Sequence, residues 1–278
     1  MSFLKRFARN RGALIGVLIL LVVIAFALLA TWLYPQSPWR TVGRPFLAPF
    51  VMERFPLGTD TLGRNLASGL VHGARVSLMI GVVSTLVALL IGVPLGAVAG
   101  YAGGFVDDAL MRFTEFFQTI PSFALAIVMV AILQPQLGSI VLAIGVVSWP
   151  PVARLVRGEV LSLRTREYVQ AAVTIGQSTP RIIFSQVLPN TLAPIIVMGS
   201  LMIGSAILLE SSLSFLGLGD PNLMSWGYMV GAGRTRLLDA WWISFFPGLA
   251  IFLTVLALNL AGEGLNDALN PRLARERE

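Results

Sequence analysis

The chain has 278 residues, 56% of them hydrophobic and only 12% charged, with a mean hydropathy of +0.80. A soluble domain carries about 25% charge, so this is read as a polytopic membrane protein whose apolar surface faces lipid and neighbouring helices. With no cysteine and one histidine, disulfides, thiolate nucleophiles and Cys- or His-clustered metal sites are excluded, and the net charge of +6 rests on arginine.

Residues 1–12 hold Lys5, Arg6, Arg9 and Arg11 without an acid. The uncharged run Ala13 to Leu33 predicts a first span. It is longer than the apolar core of a cleaved signal peptide, which is about 7–15 residues, and long enough to cross at 1.5 Å per residue. Trp32, Tyr34 and Trp39 fit an aromatic belt at its outer end. Residues 34–75 read as an external loop. In it Thr59 or Asp60 can cap, Gly63 can turn, and Asp60 can pair with Arg64 or meet a substrate. His72 reads as a loop or interface residue.

Val76 to Ala102 predicts a second span. Gly92, Gly96 and Gly100 fall four apart, on one helix face, and such small residues admit a close neighbour. The seam can serve packing within the chain or against a sister subunit. Pro94 predicts a kink between these glycines. Asp107 and Asp108 open the next helix, where acids suit the positive end of the helix dipole, and Arg112 stands one turn after Asp108 as its partner. An acidic pair can also signal a metal-diphosphate enzyme, but no second acidic cluster accompanies it. The third span is expected over Phe116 to Leu133, a turn over 134–138, and a short fourth span over Ser139 to Ala153. Trp149-Pro150-Pro151 predicts either an interfacial helix break or a kink lining a pathway.

Residues 166–190 form a charged island between apolar runs. Glu167 to Ile175 predicts a short helix closed by Gly176 in the left-handed conformation. Ser178 or Thr179 can cap a second short helix with Pro180 in its first turn, and Pro189 is expected to stop it. Such an elbow lies flat and offers itself to a partner. The fifth span, Thr191 to Leu209, ends at Glu210, which can face a translocation path or close a hydrogen-bond network. Residues 220–240 read as an outer loop and Ile243 to Gly262 as the sixth span. Asn259, Glu263 and Asp267 follow at helical spacing, and Asn270-Pro271-Arg272 ends the last helix.

Two units emerge: 1–75, the first transmembrane helix with its external loop, and 76–278, a five-helix core with the loop 166–190 on its cytoplasmic side. Six spans put both termini on one side. Of the twenty lysines and arginines, thirteen then lie inside and seven outside. That bias places the termini and the 166–190 loop in the cytoplasm. The fold class is all-α.

The string Gln170-Ala171-Ala172, Gly176, then Leu188-Pro189 resembles the "EAA" loop of ATP-binding-cassette (ABC) importer permeases, with Gln170 where that family has Glu. Three further strings resemble the C-type subunit of the dipeptide/oligopeptide/nickel branch. They are Leu57-Gly58-Thr59-Asp60 with Gly63-Arg64 and Gly73 to Leu78; Ser211 to Gly219; and Gly262 to Arg272. The resemblance implies a type I ABC importer permease fold in the bacterial inner membrane. It implies a second homologous permease as partner, two ABC ATPases below and an external substrate-binding protein above. It also implies that Gln170, Ala171, Ala172, Gly176, Arg181, Leu188 and Pro189 couple to the ATPases. ATP and Mg are then expected on the partner ATPases, with no cofactor, metal or nucleic acid on this chain. Glu210, Trp149, Pro150 and Pro151 are candidate pathway or structural residues.

Lys5, the only lysine, follows no glycine-rich run, and a phosphate-binding loop needs such a lysine. The chain is therefore expected not to be an ATPase or any other enzyme. A secondary transporter working without ATPases is the alternative. It would need intramembrane acids or bases for its coupling ion, and only Glu115 and Glu210 are near. An intramembrane hydrolase would need a nucleophile and a base, and His72 alone does not supply them. Peptides lead as the substrate, with nickel chelates or other small solutes after them.

Overall fold

The computed structural model describes residues 7–269, and among them the regular structure is entirely helical. In chain order the helices are α1 (Arg11–Leu33), α2 (Leu66–Ala102), α3 (Gly104–Thr119), α4 (Ser122–Leu133), α5 (Leu137–Leu163), α6 (Glu167–Thr174), α7 (Thr179–Ile182), α8 (Leu188–Phe215), α9 (Trp226–Gly233) and α10 (Trp242–Leu269). Five helical stretches are long and apolar enough to cross a membrane, and α3 with α4 makes a sixth when taken as one crossing. The predicted helix end at Asn270-Pro271-Arg272 lies outside the described residues, as do Lys5 and Arg6.

The Asn10 side chain caps α1 by accepting from the Ala13 amide at 3.1 Å. The fully buried residues of α1 are small, Ala13, Gly16, Ala27 and Ala30, with Leu20 and Val23 half-buried beside them and much of the remaining Leu, Ile and Phe exposed. Small residues let two backbones approach where no hydrophobic drive separates lipid from protein. A methyl group on Gly16 would stand 2.7 Å from the Ala257 carbonyl oxygen of α10.

The loop ends sooner than expected. Asn65, neither Thr59 nor Asp60, caps α2 by accepting from the amides of Ala67 and Ser68, so the expected boundary at residue 75 falls inside this helix. Asp60 instead braces the loop. Its Oδ1 accepts from the amides of Leu62 and Arg64, and its Oδ2 meets Arg64 Nε at 2.5 Å. The Arg64 guanidinium also lies 5.0 Å over Trp39 and 5.8 Å over Tyr228. Gly63, at φ +74°, supplies the turn. His72 Nε2 sits 3.0 Å from the Tyr34 carbonyl, joining α2 to the end of α1.

Four further expectations are corrected, each at a proline or a loop. The third span is not straight: it breaks at Ile120-Pro121 into α3 and α4, bent by 81°. Proline pushes the residue before it out of helical geometry, and Ile120 is extended, with ψ 126°. By contrast α5 runs unbroken through Pro150 and Pro151 to Leu163. There Trp149 is buried, stacking on Phe113 and meeting Phe117 edge-on, so packing holds the helix across its missing donors. Pro189 does not stop the second helix of the elbow either. A π-helical segment, Ile183–Val187, precedes it and joins α7 to α8, giving one 37-residue helical run from Thr179 to Phe215. The wider π turn accommodates the ring and the missing N–H. The 220–240 stretch is not plain loop: Ser225 caps α9, and a 3-10 turn, Arg234–Arg236, follows.

The expected Asp108–Arg112 pair does not form among the described residues. Asp107 is the acid that works: it takes both nitrogens of Arg157 on α5, at 2.5 and 2.7 Å. This two-point geometry fixes direction as well as distance.

Candidate coupling site

The elbow is built from the inside outward. Val169, Ala172, Ile182 and Val187 are buried and pack with Val152, Val156 and Val160 of α5, Ala97 of α2 and Ile195 of α8. That apolar pad leaves the opposite face of α6 in the open. Gln170 and Ala171 are exposed there, beside Tyr168, Val173 and Thr174.

Gly176 then ends α6. Its φ is +78°, its amide bonds the Val173 carbonyl, and the next amide, from Gln177, bonds the Ala172 carbonyl. This paired closure satisfies two end carbonyls and requires the left-handed conformation. The Gln170 side chain donates to the Arg164 carbonyl at 2.8 Å, closing the other end of the elbow. Arg181 and Pro189 are exposed, and Leu188 is half-buried. Two apolar side chains not singled out in the sequence stand clear of the surface here: Ile175 at 73% and Phe184 at 72% exposure. They were hidden because an apolar residue near other apolar ones, Ile175 after Val173 and Phe184 after Ile182-Ile183, reads as core. Ile175 directly precedes Gly176, and Phe184 lies on the following arm, in the Ile183–Val187 segment.

The elbow is fastened to the span bundle. α2 and α5 form the most extensive helix pair in the molecule. Along their seam, methyl groups at Gly92 and Gly100 would stand 2.6 Å from Val152 Cβ and 2.8 Å from the Arg157 carbonyl. Gly96 is closer still, against the Ala153 carbonyl. The small-residue face is thus a seam inside this chain. Arg164, at the end of α5, donates to the Gly100 carbonyl at 3.2 Å, and the Arg157–Asp107 pair ties in α3 just above.

The remaining candidates lie elsewhere. Pro150 and Pro151 line a cleft of about 300 Å³ with Gln118, Ile120 and Pro121 at the α3–α4 bend. Arg154 donates to Gln118 Oε1 at 3.0 Å beside it. Glu210 is 22 residues along α8 from Leu188, about 33 Å at the helical rise. It is only 1% exposed, and its carboxyl accepts from Ser225 at 2.7 Å and Ser214 at 2.8 Å, with Ser211 at 3.4 Å. Ser225 is the cap of α9, and a methyl group on Gly227 would stand 2.8 Å from the carboxyl Oε2. Glu210 therefore joins α8 to α9. Glu210→Ala, which strands two buried hydroxyls, is expected to lower stability by about 2–3 kcal/mol. Glu210→Gln, which keeps one acceptor, is expected to cost less than half as much, as read by thermal unfolding in detergent.

Residues 92–275 match the family described as "Binding-protein-dependent transport system inner membrane component". The chain belongs to this family. Residues 2–56 of the permease also match the N-terminal transmembrane domain of oligopeptide transport permease C. The di/tripeptide transport system permease protein DppC of Pseudomonas aeruginosa (strain UCBPP-PA14) is 44% identical over 279 residues, which cover 98% of this permease and 92% of that one. The dipeptide transport system permease protein DppC of Bacillus subtilis (strain 168) is 42% identical, covering 98% and 85%. Among solved structures, an inward-facing form of the MetNI methionine ABC transporter matches with a TM-score of 0.62 and 17% identity, over 73% of this permease and 96% of that chain. That likeness is one of fold. The permease is accordingly a multi-pass inner-membrane subunit of an ABC importer, all-helical in the type I manner.

Proposed function

We propose that this permease forms half of the translocation pathway of an ABC importer for di- and tripeptides, and receives its drive through the 166–190 elbow. The supporting observation is the build of that elbow: a buried apolar pad toward α5 and α8, with Gln170, Ala171, Ile175 and Phe184 presented outward. Apolar side chains exposed this way beside a charged loop mark a docking surface. The identities to dipeptide permeases over nearly the whole chain support the substrate class.

In this reading the termini and elbow lie in the cytoplasm, as the arginine bias favours. A second, homologous permease completes the pathway, two ABC ATPases grip the two elbows, and an external binding protein delivers the peptide. ATP and Mg belong to those ATPases, and this chain catalyses no reaction. When the ATPases close, they displace the elbow. Its pad carries the displacement into α5, and the unbroken run to Phe215 carries it the length of α8. The cleft at Gln118, Pro121, Pro150 and Pro151, where one span is already bent, is the candidate wall of the pathway.

Purification from the native membrane in mild detergent tests this. Two ATPase subunits and one other permease are expected to accompany the chain, and the partner binding protein is expected to retain short peptides. Isolation of a fully transport-active chain without ATPases would overturn the reading.

A further inference from the structure

Helix α1 packs on α10 along its small residues and less extensively on α2. Between them runs a groove of about 610 Å³, walled by Leu18, Val22 and Phe26 of α1, Leu70 and Ala74 of α2, and Leu253 of α10. Its lining is almost wholly apolar, so water has no partners to hold it there. From Leu18 to Leu33 the groove follows α1 for about 22 Å, enough to cross one leaflet of a hydrocarbon core about 30 Å thick.

At its loop end the groove meets a second cavity of about 260 Å³, and Leu33 and Tyr34 line both. This second cavity has a mixed lining, to which Arg40 and Arg54 contribute charge beside Ser37 and Asn65. Both arginines are exposed, and neither has an acidic partner among the described residues. Arg54 rests on the Phe55 ring, 5.6 Å from its centre. Trp32, 85% exposed at the same end of α1, marks the depth at which headgroups begin.

We propose that this groove holds one acyl chain of an anionic phospholipid from the leaflet on the loop side, with its phosphate bound by Arg40 and Arg54. The acyl chain fills an apolar slot beside the exposed face of α1. The guanidinium groups meet phosphate in the planar, two-donor geometry for which arginine is suited. The lipid then acts as a wedge that completes the contact between α1 and the rest of the bundle.

The test uses the permease purified with its partner subunits and placed in nanodiscs. These contain phosphatidylcholine, or phosphatidylcholine with phosphatidylglycerol of the same acyl chains. Native mass spectrometry is expected to find one phosphatidylglycerol retained per chain after detergent transfer. The double variant Arg40→Gln with Arg54→Gln is expected to weaken that retention about thirtyfold, as two surface charges near a lipid headgroup imply. Val22→Trp, which fills the groove and leaves both arginines in place, is expected to abolish retention of either lipid. Equal retention of the two lipids by the wild-type chain, or retention unchanged in both variants, would overturn the proposal. So would a photo-crosslinker at Val22 that captures a partner subunit's helix in place of lipid.

Discussion

Gly96→Val is expected to prevent the chain from assembling its helix bundle, at a cost of about 3 kcal/mol or more. The first atom of any side chain at position 96 meets the Ala153 carbonyl, with Val156 Cβ 2.9 Å away. A backbone carbonyl cannot rotate aside as a side chain can. Relief requires moving α5 bodily, and α3 holds α5 at two points: Trp149 lies under Phe113 and Phe117, and Arg157 is gripped by Asp107. The same helix carries the pad on which the elbow rests, so the damage spreads from the seam to the proposed coupling surface. Gly158→Ala makes the control. It lies in the same helix with open space around it, and is expected to be neutral or to stabilise by about 0.5–1 kcal/mol. Thermal stability of the two purified variants, followed by size-exclusion chromatography, separates the effects.

Gly176→Val is expected to leave insertion and folding intact while uptake falls about tenfold or more. Nothing lies within 4 Å of the place its side chain would take, so there is no clash. The cost is conformational. At φ +78° a β-branched residue bears about 1–3 kcal/mol of strain, and the turn escapes that strain by opening. Opening breaks the paired closure onto Val173 and Ala172 and swings Ile175 away from its present position relative to Phe184. Gly176→Asn, a residue that tolerates this conformation, is expected to keep most of the uptake. Peptide uptake and ATP hydrolysis measured on the same reconstituted preparation give the readout. Hydrolysis that persists without uptake in the valine variant, and with uptake in the asparagine variant, is the expected pattern. Normal uptake in the valine variant would remove the elbow from its coupling role.

Much of the architecture was legible because its signals are local. Apolar run length located the spans, and the four-residue spacing of Gly92, Gly96 and Gly100 located a seam. The Gly176 stop was readable from its neighbours alone. What was not legible depended on the competition between a proline's missing donor and the packing around it. Pro121 breaks its helix, with Ile120 before it held extended. Pro150 and Pro151 do not, since Trp149 beside them is clamped by two rings. Pro189 does not, since a π turn takes up the misfit. Those three outcomes are indistinguishable along the chain. The choice of Asp107 over Asp108 as the partner of Arg157 was hidden for a related reason, since it is fixed by which face of α3 meets α5. The candidate coupling residues were found by pattern, but Ile175 and Phe184 were not, because only the folded turn shows that they project outward.

The run from Thr179 to Phe215 is one continuous 37-residue rod. A helix turns by about 100° per residue. Adding or removing one amino acid between Leu188 and Glu210 would therefore rotate the heading of the elbow by that angle against the serine cluster at the far end. Length becomes an angular setting, as unforgiving as the teeth on a shaft. A single extra residue in this rod would point one end of the machine the wrong way.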